Sequence, residues 1–353
     1  MMHTFTSARA AMALLAILAG ASCDNSDPPS APTETPAAAP GADSVALADT
    51  VALADTLALA DTLATDYAVL YSGIPYGPAS LWADVTGFKW GPAPFTLSQD
   101  NTFANSIVTR INTARQNRQR LVLVMTGGLA SEYKTDGKFD LAKWKTRMNT
   151  FKTSTIQNAV AAAVADGTIV GNVLIGEPET PIWGGVMTKP LIDQMATYVK
   201  NIFPTLPVGV NMGAPGFRWR TWERFKVVDY VLSQYQWSFN QGNVGAWRDA
   251  VLSWAGAEGV TPVFSLNLLN GGVVDNTGAW DCTGTGGKGT IAYRCRMTAD
   301  QVRTWGRAIG PYGCAMLMWQ YDDLFMSKSA NQDAFRDVAS LLASKARRSC
   351  RRP

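Results

Sequence analysis

The chain has 353 residues, 47% of them hydrophobic and only 17% charged, with a formal net charge of +3. That is enough apolar material for one large α/β domain or two ordinary ones, without the cationic excess that a duplex-binding surface needs. The single histidine is His3, inside a stretch read below as a removed leader, so the mature protein would have no imidazole; Ser-His-Asp triads, Cys-His pairs and His-ligated zinc are excluded, leaving Asp, Glu, Lys, Tyr and Cys to move protons.

Met1–Ser22 carries His3 and Arg9, then an apolar run from Ala10 to Ala19 that ends in small residues. This pattern is a secretory signal, too short and too weakly flanked to remain as a membrane span. Two exits compete. Leu18-Ala-Gly-Ala-Ser-Cys23 resembles a bacterial lipoprotein box, with Gly20 where that box usually has Leu, while Ala19-Gly20-Ala21 also fits ordinary signal cleavage. Five cysteines leave an odd one in an exported chain, whereas acylating Cys23 leaves four to pair in an oxidising compartment. The lipoprotein reading is therefore preferred, with Cys282 expected to pair with Cys295 and Cys314 with Cys350. Residues 23–66 then read as a disordered linker rich in Pro, Ala, Ser, Thr and Asp, containing the tandem hexapeptides Val45–Thr50, Val51–Thr56 and Leu57–Thr62; such a segment acts as a tether between lipid and domain.

From residue 67 to 353 short apolar runs alternate with amphipathic stretches, the pattern of βαβ units and a parallel sheet. Strands are predicted at Ala68–Ser72, Arg120–Met125, Val170–Gly176, Pro207–Asn211, Val228–Gln234, Pro262–Asn267 and Cys314–Trp319, with Thr86–Trp90 as an eighth. Helices are predicted at Asp100–Arg118, Leu141–Ala165, Lys189–Ile202, Gly245–Ala257, Thr298–Ile309 and Gln332–Lys345. The stretch runs without a composition break and every strand has a polar carboxyl end. A single-domain (β/α)₈ TIM-like barrel is therefore preferred to a doubly wound sheet. A Cys314–Cys350 bridge suits it, since the last helix would return Cys350 to the floor where the last strand begins.

The organising stretch is Ile169–Thr180. A brief β-branched run stopped by Gly176 and Pro178 is the mark of a buried parallel strand. Glu177 stands at its carboxyl end, and Pro178 is expected to hold it extended. Its plain alternatives are a solvated loop residue or the partner of an Arg or Lys. The other strand ends bring Asn211, then Gln234, Gln236 and Trp237, then Asn267 and Asn270, then Trp319, Gln320, Tyr321 and Asp322, with Lys89 and Trp90 possible additions. Carboxamides and acids bond ring hydroxyls while Trp and Tyr cover the apolar faces of sugars, so a saccharide site is expected at this mouth.

Gly176-Glu177-Pro178, with Met318-Trp319 on the last strand, resembles the TIM-barrel glycoside hydrolases of the large retaining superfamily. The resemblance implies Glu177 as general acid/base and Trp319 as a sugar platform. Two positions depart from it: Gly176 replaces the usual Asn, and Asn267 stands where a nucleophilic Glu is expected. A hydrolase needs a second carboxyl group; Asp322 is the candidate, and Glu179 the alternative. The rival reading is a glycan-binding lipoprotein that has lost catalysis.

No cofactor, metal or nucleic acid is expected; the partners are an oligo- or polysaccharide and, through the anchor, the membrane of the cell envelope. Gly284-Thr-Gly-Gly-Lys-Gly-Thr290 resembles a phosphate loop but follows no strand and is read as a loop pinned by Cys282 and Cys295. Arg218-Trp-Arg-Thr-Trp222 is read as packing with cation–π contact, and the basic tail Lys345–Arg352 as a solvated end.

Overall fold

The computed structural model describes residues 73–79, 95–212, 223–237, 243–272, 282–283 and 294–353. The leader, Cys23, the linker, the strands expected at Ala68–Ser72 and Thr86–Trp90, Lys89, and the segments Arg218–Trp222 and Gly284–Thr290 lie outside the described residues.

Eight strands form one parallel sheet: β1 (Tyr76–Pro78), β2 (Leu97–Asn101), β3 (Arg120–Val124), β4 (Ile169–Gly176), β5 (Val208–Met212), β6 (Tyr230–Tyr235), β7 (Thr261–Asn267) and β8 (Met316–Trp319). From β2 to β8 the strands neighbour one another in chain order and β1 joins β8. The bridge Ala79–Gln99 and the bond from Thr96 N–H to Tyr76 O, 2.9 Å, bring β1 against β2 and turn the sheet into a nearly closed barrel. Helices α1 (Ile107–Gln116), α2 (Leu141–Asn149), α3 (Ser154–Ala165), α4 (Lys189–Ile202), α5 (Val244–Glu258), α6 (Ala299–Ile309), α7 (Asp323–Met326) and α8 (Ser329–Ala343) lie between and after the strands. This is the TIM-like (β/α)₈ architecture.

Helix starts follow local chemistry. Asp140, Thr153, Thr188, Asn243 and Thr298 each accept a backbone N–H of the first turn of α2, α3, α4, α5 and α6, satisfying donors that have no partner within the helix. Two predicted helices are corrected. The first begins at Ile107, because Asp100 and Asn101 belong to β2 and pair with Leu123 and Val124. The stretch Leu141–Ala165 is two helices, since Thr153 is extended at φ −117° and ψ 148° and caps α3.

Alternation along the strands separates two kinds of core. Leu97, Val122, Val173, Tyr230, Leu232, Val263, Ala315 and Leu317 form an interior cluster. Val208, Val210 and Met212 pack outward among the helices on one side, as Phe264, Leu266, Met316 and Met318 do on the other. The Tyr230 ring lies where Cβ atoms at Gly171 and Gly209 would be, so those two glycines admit it to the interior. The β4–β5 register slips by one residue between Val173, opposite Gly209, and Gly176, opposite Asn211. Leu174 and Ile175 accordingly both pack outward, and Gly176 takes the interior position beside Asn211.

The floor is sealed by the segment after α8. A disulfide joins Cys314 to Cys350 with Cα atoms 5.3 Å apart, and both belong to the interior cluster. Arg352 donates to the carbonyls of Phe225, Val228 and Glu258 at 2.8–3.1 Å. The Asp229 carboxylate accepts the N–H of Arg352 and of Val208 and meets Lys200 Nζ at 2.8 Å. The reading of Lys345–Arg352 as a solvated end holds for Lys345–Ser349 and Arg351, which are exposed, and is corrected at Cys350, which is buried, and at Arg352, which satisfies carbonyls at the strand starts. Cys282 and Cys295 face each other in a two-stranded antiparallel ribbon, and Cys295 is disulfide-bonded.

Candidate functional site

At the carboxyl end of the barrel several interior positions carry amides, although β3 keeps the aliphatic Val124. Asn211 follows Gly209 on the inner face of β5, Gln234 follows Leu232 on β6, Asn267 follows Val263 and Ser265 on β7, and Trp319 follows Leu317 on β8. On β2 the same alternation turns Gln99 and Asn101 inward after Leu97. Gly176 completes the ring from β4. A Cβ built there meets nothing within 4 Å, so the space above Gly176 is open at the level of Asn211.

The amides are ordered. Asn270 N–H donates to Asn267 Oδ1 at 2.9 Å. Asn267 Nδ2 donates to Gln234 Oε1 at 3.0 Å, and Gln236 Nε2 donates to the same oxygen at 2.9 Å. Gln234 and Asn267 are 7% and 4% exposed, so this relay is fixed by burial as well as by hydrogen bonds.

Glu177 sits at the rim. Its backbone is not extended as expected from Pro178 but left-handed, at φ +45°. The chain reverses here: Glu177 N–H donates to Asn211 O at 2.7 Å, and Glu177 O accepts Thr180 N–H at 3.0 Å. Pro178 then occupies the second position of a turn that suits its fixed φ. The Glu177 residue is exposed and Glu179 is half-buried.

Asp322 is engaged elsewhere. Its Oδ1 accepts Phe325 N–H at 2.7 Å as the cap of α7, and its Oδ2 lies 3.8 Å from Arg296. Tyr321 donates its hydroxyl to Asp323; burial, then that bond, raises the phenol above its usual range. Trp319 and Gln320 are half-buried at the lip. Trp237 is half-buried against the outer core, so it is partly a packing residue, and its backbone N–H donates to Gly271 O at 3.0 Å. Lys89 and Trp90 lie outside the described residues.

Sequence reasoning missed Gln99, Asn101 and the open space at Gly176. The alternation Leu97, Gln99, Asn101 was the available signal, hidden by the assignment of Asp100 and Asn101 to a helix. Below the rim, Thr126 braces β3 to β4 by donating to Leu174 O, and Trp144 Nε1 donates to Thr126 Oγ1 at 3.0 Å. Tyr133 donates to Thr126 O and to Gly127 O; burial pushes its hydroxyl up to about 12, outweighing the opposing Arg147 charge. Among the described residues no group of three or more His, Cys, Asp or Glu gathers as metal ligands.

No protein-family model matches the chain, and no curated protein matches it in sequence. Solved structures do. An endo-1,4-beta-mannanase from Rhizomucor miehei superposes with a TM-score of 0.53 at 11% identity, over 77% of this chain and 96% of that one. The likeness is one of fold. A xylanase 10B from Thermotoga petrophila (TM-score 0.42, 10% identity, 80% and 97% of the two chains) and a GH10 xylanase from Thermobacillus composti (0.44, 10%, 78% and 98%) are further matches.

Proposed function

We propose that the chain is a carbohydrate-binding barrel of the glycoside-hydrolase type, taking an oligo- or polysaccharide at the carboxyl-end mouth without cleaving it. One observation carries this reading: successive strand ends turn Asn211, Gln234, Asn267 and Trp319 toward one mouth, with a carboxamide at the β7 end where a hydrolase of this type would place a carboxylate. Amides supply donors and acceptors for hydroxyl groups, and an indole supplies an apolar face. Asp322, capping α7 and facing Arg296, does not supply the missing group.

Hydrolysis is the second reading, favoured by Glu177. A glutamate held at φ +45° at a strand end is the kind of strained position that clusters at working sites. The test is a glycan array and a reducing-sugar release screen of the purified protein beside its Glu177→Gln and Asn267→Ala variants. Binding without release, kept by Glu177→Gln and lost in Asn267→Ala, is the expected result. Release abolished by Glu177→Gln would establish the second reading, and binding to no glycan would overturn both.

The chain is further read as exported and anchored. Met1–Ser22 acts as leader, Cys23 as the acylated residue and residues 23–66 as the tether to a barrel domain of residues 67–353. The Cys314–Cys350 bridge supports an oxidising compartment. Among the described residues no helix is long and apolar enough to cross a membrane.

A further inference from the structure

We infer that the open space above Gly176 receives the acylamino group of an N-acylated amino sugar. This rests on the saccharide-binding reading and specifies its ligand.

The argument starts from a group whose polarity is fixed. A backbone N–H can only donate, so the bond from Asn270 N–H makes the Asn267 atom that receives it the carbonyl oxygen. Asn267 must then present its amino group to Gln234, and the Gln234 atom at 3.0 Å must be Oε1. Gln236 Nε2 donates to that same oxygen, which uses both of its lone pairs. What Gln234 has left is its amino group, with two hydrogens and no partner among the described residues, on a side chain more than nine-tenths buried. That amino group is not sealed off from solvent, so a ligand's acceptor oxygen would take the place of water on it.

The acceptor it selects is uncharged. A carboxylate would enter without a cation, since the interior positions at the upper ends of β2 to β8 carry no Lys or Arg among the described residues, while β4 leads directly into Glu177 and Glu179. An unpaired buried charge costs far more than one amide donor returns. A neutral carbonyl carries no such cost. Asn211, half-buried and lying between Gln234 and Gly176 in the sheet, offers an acceptor to the N–H of the same ligand group. The open space over Gly176 takes the methyl: its backbone has an ordinary strand φ, so the missing side chain is not a conformational requirement there, and it leaves space. Donor, acceptor and open space thus match the C=O, N–H and CH₃ of an acetamido group. A bare hydroxyl uses the first and leaves the last empty.

The test compares two ligands that differ only in this group, the β-1,4-linked tetramers of N-acetylglucosamine and of glucose, by titration calorimetry on the full protein. The acylated tetramer is expected to bind at least about tenfold more tightly, the worth of one well-made hydrogen bond. Gln234→Glu, which replaces the donor with an acceptor of the same shape, is expected to bring the two dissociation constants within about twofold. Gly176→Val is expected to weaken the acylated tetramer by about tenfold while moving the glucose tetramer by less than about twofold. Should Val disturb folding, judged by thermal melting, Gly176→Ala is the milder variant, since its methyl has open space; a selective loss for the acylated tetramer is again expected. Equal binding of the two tetramers by the parent protein, or preference for glucose, overturns the inference and leaves the saccharide reading standing. Binding of neither tetramer, nor of any glycan on the array, overturns both.

Discussion

Replacing Gly209 with Ala tests the packing of the barrel interior. Gly-to-Ala exchange at an ordinary φ usually stabilises a protein by about 0.4–1 kcal/mol, because the unfolded chain loses freedom. Gly209 should do the opposite. A Cβ there would lie 2.3 Å from Cδ2 and Cε2 of Tyr230, more than an ångström inside normal carbon contact near 3.5 Å. The ring has nowhere to go: Tyr230 is 1% exposed, and on its other side a Cβ at Gly171 would come within 2.5 Å of Cε1. Overpacking of this kind costs about 1–3 kcal/mol. Urea unfolding followed by tryptophan fluorescence should show that loss as a lower midpoint at unchanged slope. Tyr230→Leu alone removes the ring and leaves a void, so it destabilises as well. The double variant should be more stable than the sum of the two losses by at least about 1 kcal/mol, because the added methyl enters the space the ring has left. A Gly209→Ala protein as stable as its parent, or strict additivity in the double variant, would refute this account of the core.

Cys350→Ser opens a bridge spanning 36 residues and should cost about 3–4 kcal/mol by the loop-entropy argument; a thermal melt unaffected by the substitution or by reductant would contradict it. Lys189 and Glu258 form a 2.6 Å pair, with side chains 2% and 9% exposed. Glu258→Gln, which strands the buried ammonium, should cost about 3–5 kcal/mol, and adding Lys189→Met should recover most of it while Gln keeps an acceptor for Phe225 N–H; denaturant midpoints decide. Asp140 is held below its ordinary 3.8 by the Thr135 hydroxyl first and by the N–H groups of Lys143 and Ala142. A depressed carboxyl pKa contributes stability above the unfolded value and loses it as pH falls through the folded one. Unfolding curves below pH 3.8 should therefore flatten in Asp140→Asn, and an unchanged acid limb would count against the assignment.

Apolar periodicity located six of the eight barrel strands, because parallel strands buried on both faces read as continuous β-branched runs such as Val170–Gly176. It missed the first two for definite reasons. Tyr76-Gly77-Pro78 looks like a turn by composition, yet Gly77 is there because Leu97 O would lie 1.7 Å from a Cβ, and Pro78 sits at the strand end. Leu97–Asn101 is polar at four of five positions, with Gln99 and Asn101 on its inner face and Ser98 and Asp100 on the other, so no apolar run marks it. The amides at the strand ends were legible as residue types; their relay was not, since the polarity of Gln234 depends on a loop N–H at Asn270. Asp322 was selected as a carboxylate near the last strand, and sequence reasoning overlooked that a residue beginning a short helix is also an N-cap, a role that Asp322 fills. Glu177 was placed on the right strand end with the wrong backbone, because the restriction imposed by Pro178 acts against αR and does not forbid a left-handed turn.

The one-residue slip in β4 bears on how relatives of this protein should be found. An aligner that treats Ile169–Gly176 as a regular ladder will thread Ile175 into the lumen and push Gly176 outside. Homologues would then look as though they lacked the cavity while carrying an aliphatic plug. Profiles built on inner-face identity, with a gap allowed between Val173 and Gly176, would recover them, and the residue opposite Asn211 would be the column that sorts open lumens from plugged ones.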